Sequence, residues 1–338
     1  MYSRVKIIKL LLLSVILVPA VASAGGVLFY KEVNLIGGYS DVNQWIGQSS
    51  MLSNSLGFEY YRKFSGEYGD YLTVDLQMRA AYAGEKKPKQ AFGLEIHNAW
   101  LEYKLMPELK IRGGHFTPSF GMETVVDTHS TLVQTLMEED VGFTKDWGAQ
   151  VRGSFPRFDY EASLQIGSGM SLRRKDGSFL ATARIGSPQG QNLQYGLSIL
   201  YGDVLETEGM NTFPKSHLVS DGAVTKKRVG LDGQYLYGPY LFKTEVAYGR
   251  NDHDDVLGYL VEIDYTFPKK QNWELELQFR SWINDLGMHS SDNSTLIFGT
   301  SYKLNQDFTL RAVFSHDFNM MGHEEENKFI VQLYYYGA

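Results

Sequence analysis

The sequence predicts an all-β fold, a transmembrane antiparallel β-barrel of about 16 strands with a constriction loop folded into its lumen. Three observations predict it. Apolar and polar residues alternate with period two along most of the chain. The extended runs reach about 9 to 11 residues, enough to cross a bilayer when tilted, whereas strands of soluble proteins average about 5 or 6. Short and long connections also alternate, as they do between the two rims of a membrane barrel.

At the N-terminus, Arg4, Lys6 and Lys9 precede an apolar run from Leu10 to Val18 and then Ala22-Ser23-Ala24. A positive start, a short apolar middle and small residues at a cleavage point describe a secretory signal peptide over residues 1–24, leaving 25–338 as the barrel. The whole chain carries 32 Lys+Arg against 39 Asp+Glu, and losing the leader makes it more acidic, so nucleic acid is not an expected partner. With no Cys there are no disulfides, thiolate metal sites or thioether-attached haem, and no cofactor is expected. Aromatics make up 14 %, with 22 Tyr, 34 Gly and 9 Pro. Such a composition suits strands that carry rings at a membrane interface.

Strands are expected near 31–39, 54–64, 70–83, 93–105, 109–116, 146–156, 159–168, 179–186, 193–202, 226–237, 240–250, 256–267, 272–283, 294–304, 308–317 and 327–337. In 70–83, Leu72, Val74, Leu76, Met78, Ala80 and Tyr82 oppose Thr73, Asp75, Gln77 and Arg79. In 272–283, Trp273, Leu275, Leu277, Phe279 and Ile283 oppose Glu274, Glu276, Gln278 and Arg280. A slip of one residue would move such charges into lipid, at roughly 2 to 4 kcal/mol for Arg or Lys at the midplane, so the apolar face looks outward. Turns fall at Met106-Pro107-Glu108, Pro156-Arg157, near Pro188, at Gly238-Pro239, Pro268 to Gln271 and Asn305 to Asp307. Longer loops fall at 40–53, 84–92, 117–145, 169–178, 203–225, 251–255, 284–293 and 318–326.

The longest break in the alternation that neither a turn nor a strand explains runs from 117 to 145. A barrel of about 16 strands encloses water, so a segment that cannot be a strand still has room inside. Leu132, Val133, Leu136 and Met137 recur at spacings of three and four, compatible with a short amphipathic helix against a wall. The loop carries Glu123, Asp127, Glu138, Glu139 and Asp140, with Lys145 its sole Lys or Arg, while Arg79, Arg112 and Arg152 lie on inner faces of neighbouring strands. These eight residues are the expected pore constriction, acids facing a basic wall across a narrow passage.

Gly114-His115-Phe116-Thr117-Pro118-Ser119-Phe120-Gly121-Met122-Glu123, entered from Trp100-Leu101-Glu102-Tyr103 and followed by Asp146-Trp147-Gly148-Ala149-Gln150-Val151-Arg152-Gly153, resembles the phosphate-selective porin family of Gram-negative outer membranes. The likeness covers residues 93–153. It implies a 16-stranded homotrimeric porin in the cell outer membrane, set among lipid and lipopolysaccharide and passing small hydrophilic solutes or ions. This chain departs from the anion-selective members, whose constrictions carry Arg and Lys, because its own loop is acidic; the expectation is a weak preference for cations.

His217, Asn251 to Asp255, His289 and His316 to Asn327 put His and carboxylates in external loops, but without tight ligand spacing, so no metal site is expected. A hydrolase needs a nucleophile or activated water beside an oriented base; His129-Ser130 and His316-Asp317 are the sole suggestive neighbours, and opposite strand faces spoil the second pair, so no enzyme is expected. The reading is a diffusion channel. Its alternative is a plugged outer-membrane barrel serving as scaffold or adhesion partner.

Overall fold

The computed structural model describes residues 26–49, 52–67, 69–82, 91–219, 222–287, 292–319 and 325–338. The leader 1–24, most of loop 84–92, His289 and residues 320–324 lie outside the described residues.

Sixteen long strands stand in the described chain, where the alternation puts them. They are β1 (Val27–Ser40), β2 (Leu52–Gly66), β3 (Gly69–Tyr82), β4 (Phe92–Met106), β5 (Leu109–Phe116), β6 (Asp146–Ser154), β7 (Asp159–Gln165) and β8 (Phe179–Gly186). There follow β9 (Leu193–Val204), β10 (Val224–Tyr237), β11 (Tyr240–Asn251), β12 (Asp254–Thr266), β13 (Trp273–Ile283), β14 (Asp292–Lys303), β15 (Phe308–Asn319) and β16 (Glu326–Gly337). Each is antiparallel to the next, and β16 pairs with β1 from Lys31↔Gly337 to Ser40↔Lys328, so the sheet closes without a free edge.

The two faces differ as the register argument requires. Leu164, Ile199, Leu231, Val261 and Phe298 are exposed outward, with Leu164 retaining 62 % of its surface. Between them Gln165, Ser198, Asp232 and Glu262 turn inward and are buried. At the turn rim Tyr235 stacks on Tyr237, and aromatic contacts run in series from Tyr240 through Tyr265, Phe267 and Trp273 to Tyr302, rings stationed where hydrocarbon gives way to headgroups.

One connection departs from the expected alternation. Residues 251–255 form no long loop: Asn251 pairs with Asp254 across a two-residue turn in which Asp252 has φ 49°. Asp252 also accepts a hydrogen bond from Thr225 N–H through Oδ1, and a short polar side chain tolerates that left-handed conformation.

The break at 117–145 begins because β5 is short. β4 runs up to Phe92 while β5 turns away at Phe116, so the upper part of β4 loses its neighbour. The β9–β10 connection fills the gap: Leu94 N–H donates to Phe213 O at 2.7 Å and Thr212 N–H to Leu94 O at 2.8 Å. The bend needs Gly114, at φ 132°, where a Cβ would stand 2.1 Å from Ala99 O.

Candidate functional site

Residues 117–145 pack against inward-facing side chains around much of the barrel. Ser119 N–H donates to Thr182 Oγ1 on β8 (2.8 Å), Gly121 N–H to Ser198 Oγ on β9 (3.1 Å), and Met122 N–H to Glu245 Oε1 on β11 (2.9 Å). Gln278 on β13 donates to Gln134 O (3.0 Å), while Arg311 on β15 and Gln332 on β16 both donate to Ser130 O. The Pro118 to Glu123 motif gains its reason here. Phe120 is fully buried beside Gly230, where a Cβ would stand 2.9 Å from the ring, and a Cβ on Gly121 would meet Glu245 Oε1 at 2.0 Å.

Two apolar patches on the otherwise polar inner wall receive the loop. Leu132 and Val133 pack against Ile36, Ile297, Val313 and Ile330. Phe120, Met137, Val141 and Phe143 pack against Leu180, Leu200, Val204 and Ala247. The helix expected from the spacing of Leu132, Val133, Leu136 and Met137 is therefore corrected. Helix α1 is confined to Met137–Val141, because Leu132 and Val133 belong to the other patch. Its end is set by Gly142, at φ 99°, whose N–H caps Glu138 O.

The eight site residues do not form one ring of acids against bases. Asp140 is wholly buried with its Oδ1 3.8 Å from Arg228 Nε on β10, and Glu139 stands 3.4 Å from Arg280 on β13; Glu138 shares their helix. Arg79 answers a barrel carboxylate, Glu32 on β1, at 2.5 Å, and also donates to Ser130 Oγ. Arg112 forks onto Glu102 through Nε (3.0 Å) and Nη2 (2.7 Å) with its guanidinium over Trp100, and Arg152 approaches the same carboxylate at 3.8 Å. Glu32, Glu102, Arg228 and Arg280 are thus the partners that the sequence did not single out. Period two marked them as inward, but nothing in the chain says which wall a crossing loop meets.

Glu123, Asp127 and Arg79 do come together around one cavity of about 360 Å³, between the loop and the wall of β2, β3, β4 and β16. Glu123 is held by Thr128 Oγ1 and by Thr135 Oγ1 (2.7 Å), which fixes the carboxylate at the cavity wall. Asp127 is exposed and accepts from His129 N–H. Lys145, the loop's cation, lines the same cavity and donates to Thr117 Oγ1 at 2.9 Å. A bulge in β4 adds two more groups: Gln77↔Asn98 is followed by Met78↔Ile96, so the extra residue His97 and its neighbour Asn98 both face the cavity. Arg152 borders a separate space of about 50 Å³.

Burial acts on the loop's two innermost charges. Loss of solvent raises the Asp140 carboxyl well above its ordinary value, the nearby Glu245 charge adding to this and Arg228 opposing it. The same loss of solvent lowers the Lys145 ammonium, against the pull of Glu123 and Asp75. The two pairs weighed for hydrolysis are otherwise engaged: Ser130 Oγ donates to Glu32 Oε1, and His129 faces Gln77 and Tyr334. Asp317 accepts from Thr295 Oγ1 inside the barrel, whereas His316 packs on Phe318.

No protein-family profile matches the chain and no curated protein does. Solved structures do. An outer-membrane-expressed OmpT of Vibrio cholerae superposes with TM-score 0.66 over 94 % of this chain and 99 % of its own, at 14 % identity. An anion-selective porin from Comamonas acidovorans gives 0.65 over 93 % and 100 %, at 11 % identity. The outer-membrane channel DcaP of Acinetobacter baumannii gives 0.60 over 93 % and 98 %, at 14 % identity. Identities this low carry the fold alone, and that fold is the 16-stranded barrel of outer-membrane porins. With its apolar outer band and polar interior, the chain has the fold of an outer-membrane porin barrel.

Proposed function

We propose that the protein is a diffusion channel of the outer membrane for small hydrophilic solutes or ions, with residues 117–145 as its constriction and a weak preference for cations. The observation that carries this reading is the asymmetry of the crossing loop. One side is sealed onto the wall by two apolar patches, and the other leaves a cavity of about 360 Å³ walled by Glu123 and Asp127. Charges on a narrow, water-filled passage act with little screening, so two carboxylates there favour cations. Kinship with phosphate-selective porins, and the homotrimer it implies, rest on residues 93–153; in this chain the acids at the passage argue against a phosphate filter.

Purified protein in liposomes tests the reading through osmotic swelling with a graded set of neutral sugars. A channel admits small sugars quickly and larger ones progressively more slowly. A barrel plugged as a scaffold or adhesion partner admits none, while its strands remain folded.

A further inference from the structure

The inward-facing cations of this barrel are, with few exceptions, neutralised at short range. Arg79 pairs with Glu32 at 2.5 Å, Arg184 with Asp232 at 2.6 Å, Lys226 with Glu206 at 2.8 Å, and Lys243 with Glu262 at 2.6 Å. Lys145 differs. It lines the cavity of about 360 Å³ and its Nζ donates to one neutral hydroxyl, Thr117 Oγ1, and among the described residues it has no ion pair. An ammonium group carries three donors, so two remain for whatever enters. Glu123 and Asp75 act on this desolvated ammonium without an ion pair, so it still gains when an anionic group makes direct contact.

The same cavity bears the opposite charge elsewhere on its wall. Glu123, fixed by Thr128 and Thr135, and the exposed Asp127 both line it. A carboxylate has room for about four hydrogen bonds, so these hydroxyl and amide contacts leave acceptor capacity over. Gln77, Asn98 and Gln134 supply neutral hydrogen-bonding groups between the two signs. A volume of about 360 Å³ lies at the small end of the range of about 300 to 1,000 Å³ for ligand sites, the scale of a molecule with few heavy atoms.

We propose that this cavity is a selective subsite for small zwitterions of the α-amino-acid type, Lys145 receiving the solute carboxylate while Glu123 and Asp127 face its ammonium group. A simple carboxylate would be drawn by Lys145 but repelled by the two acids, and a simple ammonium ion the reverse. A zwitterion satisfies both and carries no net charge to be rejected at the mouth. Arg79 does not compete for the carboxylate, because Glu32 already holds it.

The inference rests on the channel reading for transport but not for binding, so two measurements separate them. In liposome swelling, L-serine should enter several-fold faster than erythritol, a neutral solute of similar size. Lys145→Gln should bring the two rates together, and Lys145→Arg should keep most of the difference. Calorimetric titration of L-serine into the detergent-solubilised full chain should show binding that Lys145→Gln or the pair Glu123→Gln and Asp127→Asn abolishes. Swelling with both solutes at equal rates, or a serine advantage that survives Lys145→Gln, overturns the subsite while leaving the channel. Serine binding that depends on Lys145 in a barrel that admits no solute upholds the subsite and overturns the channel.

Discussion

The crossing loop has two kinds of stretch, and they are held by different physics. Phe120, Leu132, Val133, Met137, Val141 and Phe143 are buried against apolar patches, so their attachment needs no ionised group and persists in salt. Residues 123–130 are tied down by polar contacts: Thr128 to Glu123, His129 N–H to Asp127, Ser130 to Glu32, Arg79 and Arg311. The apolar stretch positions the loop; the polar stretch presents charge to water. A narrow passage with a fixed charge pattern needs both, since a loop held by surface ion pairs alone would gain about 0 to 1 kcal/mol from each.

Removing an apolar anchor should break the division most severely. Phe120→Ala removes a fully buried ring and should cost about 3 to 5 kcal/mol of local packing. The loop should then be cleaved by a glutamate-specific protease at Glu138 or Glu139 while circular dichroism still reports an intact barrel. Loss of the barrel signal as well would mean that the loop is part of the barrel's own core.

A charge on the outer wall tests the opposite face. Val261→Arg, near the middle of β12, should cost about 2 to 4 kcal/mol, read as a lower urea midpoint for folding into liposomes. An unchanged midpoint would place Val261 out of contact with hydrocarbon.

Within the loop, the acids should sort by position. The pair Glu123→Gln and Asp127→Asn should shift the reversal potential in a salt gradient toward anions. Glu139→Gln should shift it less, because Arg280 stands 3.4 Å from that carboxylate. Equal shifts would mean that both regions face the passage.

The smallest effect concerns pH. Asp140 has a pKa raised by burial and by Glu245, so its contribution to docking is fully present below its ordinary value of 3.8 and is lost as pH rises through the raised one. Among its surroundings Arg228 and Lys226 oppose the shift and Glu139 adds to it. Proteolysis of the loop should therefore slow as pH falls toward 4, and Asp140→Asn should remove that dependence. Faster cleavage at low pH would show that the attraction between Asp140 and Arg228 dominates.

Most of the barrel was legible because the side-chain period of a strand is fixed and lipid penalises any slip; the expected segments lie close to the observed strands from β1 to β16. The exception at Asp252 arose because polarity of a loop does not report its length. Less of the loop could be read. Its acids and its lone Lys145 were visible, but apolar residues at inward positions such as Ile36, Ile297, Val313 and Ile330 were the overlooked signal. They interrupt the polar face where a buried segment must dock. The bulge at His97 did leave a mark: the apolar phase passes from Leu94 and Ile96 to Ala99, Leu101 and Tyr103, with polar His97 and Asn98 adjacent at the switch.

The central claim is that water passes between the polar stretch of the loop and the wall. Recording single channels of the purified protein in planar bilayers under a salt gradient tests it most directly. The account predicts discrete conductance steps with a reversal potential of cation sign, moved toward zero when Glu123 and Asp127 are neutralised. A folded, inserted barrel that gives no steps, or steps with strong anion preference untouched by those two substitutions, would contradict it.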